Sequence, residues 1–310
     1  MKSSALLTLA LVAVAVAPAS VHAAIVDGRW KIEGRESGGH VSLNLTRSWN
    51  QGNSKGTWSS TEDYDRDDLR GLPSGRSADG PVSMTIAREA GTIRLDGQMD
   101  DGQGSGKFTF TPDPNYVADL KRAGFGNVSD DDVFRLCAHD VDRASIREAR
   151  SLGLRDLTLE GLIRMRSHGV TPEFVRALNN AGYSNLAVEE VIRLQIHGVT
   201  PEYVRGLVSA GKKPSPEEIV RFKIHGLEPA YVSTLSRWFG PEEMVRLHLN
   251  GVSADDVRQF RALGYESAGA EDLVRLQNNG VSPAFARRAQ ELHGRVTIDE
   301  LIKLKINGIE

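Results

Sequence analysis

Seven closing residues, Asp140, Gly169, Gly198, Gly226, Gly251, Gly280 and Gly308, recur at spacings of 29, 29, 28, 25, 29 and 28. A chain with that period is an array rather than one globular core. Each copy is a small supersecondary unit that needs neighbours to bury its apolar face. The clearest copy starts at Thr171-Pro172-Glu173 and passes Gly182-Tyr183 and Glu189-Glu190 to end at His197-Gly198. The next begins at Thr200-Pro201-Glu202.

The copies encode their own boundaries. Thr171, Thr200 and Ser282 are N-caps with Pro at the first helical position, where the missing N–H has no helical partner to lose. Gly124, Gly153, Gly182, Gly211 and Gly264 fall about eleven residues later as left-handed C′ glycines. Second helices open with capping boxes such as Ser215 to Glu218 and Thr297 to Glu300, and close at a His-Gly or Asn-Gly pair. Residues 114–310 are therefore expected to form a seven-unit α-hairpin repeat solenoid.

Residues 24–113 have a period of two instead. Val41/Leu43/Leu45, Val82/Met84/Ile86, Ile93/Leu95 and Phe108/Phe110 each put apolar side chains on one face of a strand. Asp101-Gly102 and Glu89-Ala90-Gly91 fit hairpin turns between such runs. Five or six antiparallel strands are expected, closed as a small β-barrel or sandwich, with Ser59 to Ser77 as a polar connection. The fold class is thus α+β multidomain. Gly28-Arg29-Trp30 resembles the G-x-W opening of lipocalins, but about 88 residues are too few for eight long strands. Trp30 reads as a plug rather than the floor of a pocket.

Residues 1–23 read as a signal peptide: Lys2, an apolar run from Ala5 to Ala17, Pro18, and Val21-His22-Ala23 before the cleavage point. Thirteen apolar residues at about 1.5 Å each fall short of a hydrocarbon core of about 30 Å, so no integral membrane insertion is expected after cleavage. The expected location is periplasmic or secreted. Charge is balanced, with 11 basic against 14 acidic residues over 25–113 and 26 against 27 over 114–310. Nucleic-acid binding needs a basic excess and is not expected. One cysteine, Cys137, excludes an internal disulfide framework.

Aligned copies place an acid, a base and a His or Asn at i, i+3 and i+7 of the second helix. The bases are Arg135, Arg164, Arg193, Arg221, Arg246, Arg275 and Lys303. The histidines include His168, His197 and His225, and the acids include Asp132, Glu190 and Glu218, with Gly161 in the second copy. Two readings stay open and are compatible. The triplet is a solvated face whose acid and His or Asn suit the two helix ends, with i,i+3 pairing between acid and base. Alternatively, the bases and His168, His197 and His225 line a groove that binds a protein or peptide partner. Histidines one unit apart sit on the order of 10 Å from each other, too far to share a zinc ion. Asp63, Asp65 and Asp67 fail as a calcium loop because Asp68 and Ser74 occupy the Gly and Glu positions. Gly104-Ser105-Gly106-Lys107 precedes a strand, where a phosphate loop needs a helix. No metal, cofactor or catalytic cluster is expected, and the chain reads as a non-enzyme.

Gly80-Pro-Val-Ser-Met-Thr-Ile86, Gly104-Ser-Gly-Lys-Phe-Thr-Phe-Thr-Pro112 and His197-Gly-Val-Thr-Pro-Glu-Tyr-Val-Arg205 together resemble an extracytoplasmic region of uncharacterised bacterial proteins. In some of these it is attached to membrane metallopeptidase sensors of the beta-lactam antirepressor type. The resemblance spans nearly all of the chain after residue 23. The sensor's membrane helices and peptidase motif are not matched, so the resemblance implies only an extracytoplasmic sensing or interaction role.

The function expected is an exported adaptor that binds a protein or peptide through the repeat surface. The alternative is a β-domain holding a small apolar or lipid-like ligand, with the solenoid as spacer. Two surface features are also expected. Cys137 aligns with Arg166, Gln195, Lys223, His248, Gln277 and Lys305, all polar, so its thiol should face solvent. Ile302 and Ile306 in the seventh unit should form an open apolar patch suited to homodimerisation.

Overall fold

The computed structural model describes residues 26–33, 39–51, 54–73, 79–209, 211 and 213–308. The expected leader, 1–23, lies outside the described residues. The chain divides into two compact units, one of residues up to 87 with 91–113, the other of residues 88–90 with 114–310.

The first unit is a six-stranded sheet in the order β3-β2-β1-β6-β5-β4. Its strands are β1 (Val26–Ile32), β2 (His40–Gln51), β3 (Ser54–Asp65), β4 (Gly80–Arg88), β5 (Gly91–Asp100) and β6 (Gln103–Pro112). The alternation places Val41, Leu43, Leu45, Met84, Ile86, Ile93, Leu95, Phe108 and Phe110 inside, all 4% exposed or less. Asp101 and Gly102 both have positive φ, 43° and 80°, and form the two-residue turn between β5 and β6.

Two expectations need correction. The sheet is open, not a closed barrel or a sandwich. Among the described residues after β3, the chain meets the far edge strand at one antiparallel bridge, Arg70 with Thr85, and a single bridge is not a ladder. The stretch from Ser59 is also not all connection, because β3 pairs with β2 over its whole length. Its strand character is hidden because its residues are polar. Asn44 and Thr46 of β2 hydrogen-bond Ser59 and Thr61 across the ladder, and Tyr64 is deeply buried there, at 2%.

Trp30 is 1% exposed and its indole N–H donates to the Asp96 carbonyl at 3.2 Å. It fits because its neighbours lack side chains. A Cβ on Gly97 or Gly106 would sit 2.7 Å from the indole, and one on Gly104 would sit 3.0 Å away. The glycines of 104–106 therefore belong to this cradle.

Among the described residues, fourteen helices make the second unit. They are α1 (Pro114–Arg122), α2 (Asp130–Ala138), α3 (Arg143–Ser151), α4 (Leu159–Ser167), α5 (Pro172–Asn180), α6 (Val188–Ile196) and α7 (Pro201–Ser209). They continue as α8 (Pro216–Ile224), α9 (Pro229–Leu235), α10 (Pro241–Leu249), α11 (Ala254–Ala262), α12 (Ala270–Asn278), α13 (Pro283–His293) and α14 (Ile298–Ile306). From α2 to α14 each even helix packs on the next even helix, and from α5 to α13 each odd helix packs on the next odd helix. The even and odd helices are thus two layers. Thr171, Thr200 and Ser282 accept the N–H of the residue three ahead, and Gly169, Gly198, Gly226, Gly251, Gly280 and Gly308 lie at φ between 65° and 74°. Among the described residues no helix is long and apolar enough to cross a membrane.

Cys137 is the third correction: it is 0% exposed. Arg88, which belongs to the helical unit, donates to the Cys137 and Ala138 carbonyls at 2.9 and 3.0 Å and covers this helix end. In other copies the polar side chain at this position lies against the first-helix ring, as Lys223 over Tyr203 and Lys305 over Phe285. Burial pushes the thiol up to about 12, against a weaker opposing pull from Arg88. Ile302 is the fourth: at 8% exposed it packs within the array like its equivalents Ile192 and Val220, and only Ile306, at 69%, is open. The Cys137 thiol should therefore resist a water-soluble maleimide at pH 8 in the native state and react on unfolding. Native labelling at the rate of a small thiol would show that the helix end is uncovered.

Candidate functional site

The recurring polar residues of the even helices have separate roles. The acids at the third helical position are caps. Glu190, Glu218, Glu243, Asp272 and Glu300 accept the N-cap backbone N–H at 2.6 to 3.2 Å, and Asp132 does the same for Ser129. In the second unit, where Gly161 replaces the acid, the Thr158 hydroxyl accepts the Gly161 N–H at 3.0 Å. The Thr297 backbone N–H holds the Glu300 carboxyl below its usual range. A group so lowered stabilises the fold above its unfolded value, and the contribution is lost as pH falls through the lowered one.

The arginines do not pair mainly with those acids. Arg135, Arg164, Arg221, Arg246 and Arg275 reach forward to the acid at the second helical position of the next unit: Glu160, Glu189, Glu242, Glu271 and Asp299. The expected i,i+3 pair within one even helix appears only at Arg275–Asp272, 3.7 Å, among the described residues. Helix stacking brings the next helix's first turn closer than the arginine's own. The pairs therefore tie units together at the surface. Arg193 and Lys303 are exposed and make no ion pair among the described residues.

His139, His168, His197 and His225, with Asn250, Asn279 and Asn307, are the C-caps that precede each left-handed closing residue. The Asn250 and Asn279 side chains donate to the Arg246 and Arg275 carbonyls at 2.8 Å. His168 and His197 are exposed and His225 is half-buried.

Part of one further row is left open by the fold. The last residue of each even helix is Ala138, Ser167, Ile196, Ile224, Leu249, Asn278 and Ile306 in turn. Ile196, Ile224 and Leu249, in three consecutive units, are 53, 57 and 62% exposed. They lie one turn after Arg193, Arg221 and Arg246 and immediately before His197, His225 and Asn250. The sequence pattern marked the flanking charges and passed over this row, because an Ile in an amphipathic helix reads as core.

Exposed cross-unit pairs contribute little, whereas the caps are sterically required. Arg246→Ala should cost at most about 1 kcal/mol. Gly198→Ala, at φ 65°, should cost roughly 1–2 kcal/mol. Denaturant titration of both variants checks the order, and a larger loss from Arg246→Ala would make the pairs structural pillars. No protein-family model matches this chain, and no curated protein matches it either.

Proposed function

We propose that this chain is an exported, non-enzymatic adaptor, periplasmic or secreted, whose even-helix layer binds an extended segment of a partner protein. The observation that carries this reading is the solvent-exposed row Ile196, Ile224 and Leu249. Contiguous apolar surface that a fold leaves open marks an interaction site. Stacked helices lie about 8–10 Å apart, and a polyproline II chain rises about 3.1 Å per residue with three residues per turn, so one unit corresponds to roughly three residues of ligand and every third side chain faces the row. A matching segment carries an apolar side chain at every third position. Arg193, which is exposed and makes no ion pair among the described residues, flanks the row and favours an acidic residue between those anchors, while Arg221 and Arg246 flank it paired to Glu242 and Glu271. The leader-like residues 1–23 and the likeness to extracytoplasmic sensor regions support the location. The balanced charge speaks against nucleic acid.

The test is a display library of extended peptides of about nine residues panned against the full chain. Enriched peptides should carry apolar residues at every third position with an acid between them. They should lose at least about tenfold in affinity for a chain bearing Ile196→Ser, Ile224→Ser and Leu249→Ser. Enriched peptides that bind this variant as tightly as the parent would overturn the reading.

A further inference from the structure

Five of the seven units carry an aromatic residue at the third position of the first helix: Tyr116, Phe174, Tyr203, Tyr231 and Phe285. These rings share a setting. The Tyr203 ring lies under the Lys223 ammonium, 4.9 Å from the centroid, and its hydroxyl donates to the Leu227 carbonyl at 2.6 Å. Tyr231 meets His248 edge-on at 5.2 Å and donates to the Val252 carbonyl at 3.0 Å. Phe285 lies under Lys305 at 4.9 Å. Tyr116 donates to the Val141 carbonyl at 2.6 Å. Three of these units thus place a residue of the second helix against the ring, and three set the ring hydroxyl on the carbonyl just past the closing residue.

The second unit lacks the ring. Ser145 stands at the aromatic position, and one turn later Ala149 stands where other units have Leu120, Leu178, Leu207, Leu235 or Phe260. The sixth unit replaces the aromatic with Asp256 but keeps Phe260, and the seventh has Ala289 but keeps Phe285. Only the second loses both. The consequence is a partly enclosed cavity of about 130 Å³ against Ser145, Ala149, Leu152, Leu162, Met165 and Val170. Arg166 stands at its rim, with its side chain 59% exposed and its guanidinium held on the His139 carbonyl at 3.3 Å and on Asp140 at 3.5 Å. Arg166 and Val170 are the register equivalents of Lys223 and Leu227. An aliphatic cavity of about 150 Å³ takes up benzene.

We propose that this cavity is a binding site for one six-membered aromatic ring, and for a phenol in preference to an unsubstituted ring. The incoming ring occupies the space that Tyr203 and Tyr231 fill in their own units. The Val170 carbonyl, to which nothing donates among the described residues, accepts the phenolic hydroxyl. The Arg166 guanidinium covers the ring face as Lys223 covers Tyr203. The ring can arrive as a free small phenol or as the tyrosine side chain of another protein. The proposal does not rest on the peptide-binding row, which lies at the ends of other units' second helices.

The experiment uses the full chain with ¹³C-methyl methionine. Met165 lines the cavity, while Met84, Met99 and Met244 lie elsewhere. Titration with p-cresol should shift the Met165 methyl resonance alone, with a Kd of about 0.1–10 mM for a fragment of this size. Toluene should bind several-fold more weakly. N-acetyl-tyrosine amide separates the sources: affinity equal to that of p-cresol identifies a protein-borne tyrosine, and no binding identifies a free phenol. Ser145→Tyr should fill the cavity from within, abolish the p-cresol shift and raise Tm. An unmoved Met165 resonance in the parent chain, or toluene binding as tightly as p-cresol, overturns the proposal even if Ser145→Tyr does not fold.

Discussion

The structure of the helical unit depends on the packing of each helix against the one two positions along. A hairpin of about 28 residues cannot bury its own apolar face. In α6, Val191, Ile192 and Leu194 are 0% exposed because α4 and α8 flank them. Stacking of this kind requires helices of matched length, and twelve of the fourteen described helices are nine residues long. The fifth unit shows where the array tolerates change. Its spacing is 25 rather than 28 or 29, yet α10 keeps its nine residues. The loss falls on α9, seven residues long, and on the turn after it, where Trp238 sits between the Arg237 and Arg261 guanidiniums at 4.7 and 4.9 Å.

Recurrence in a repeat protein has two sources, and this chain separates them. The carboxylates at the third helical position, the C-cap His and Asn residues and the closing glycines recur because every helix must begin and end. The forward-reaching arginines recur because every unit has a successor. None of these needs a ligand to explain it. The row Ile196, Ile224 and Leu249 is different, since open apolar side chains give nothing to the fold. The gap at Ser145 and Ala149 is different too, since it departs from what the siblings do.

Features that local chemistry dictates were legible in the sequence. Thr-Pro helix starts, left-handed glycines, the Asp101-Gly102 turn and the alternation of the inner strands all follow from short-range rules. What failed depended on distant partners. The strand Ser54–Asp65 is polar and is held by the β2 ladder, so no apolar period betrayed it. Whether the sheet closes depends on its two edges meeting, which no single strand encodes. Cys137 shares a register with polar residues but lies at a helix end held by Arg88, far from it in sequence. The ion pairs run between units because spatial proximity, not sequence spacing, selects the partner. The missing aromatic at Ser145 was visible in the alignment of copies, and only the cavity gave it meaning.

The central claim is that the even-helix layer carries an apolar row with no duty in folding. The direct measurement is the denaturant midpoint of the full chain with Ile196, Ile224 and Leu249 all changed to Ser. A row free of structural duty leaves the midpoint unchanged to within about 1 kcal/mol, as surface substitutions do. A loss of about 2 kcal/mol or more per site, the signature of a packed core position, would contradict the account.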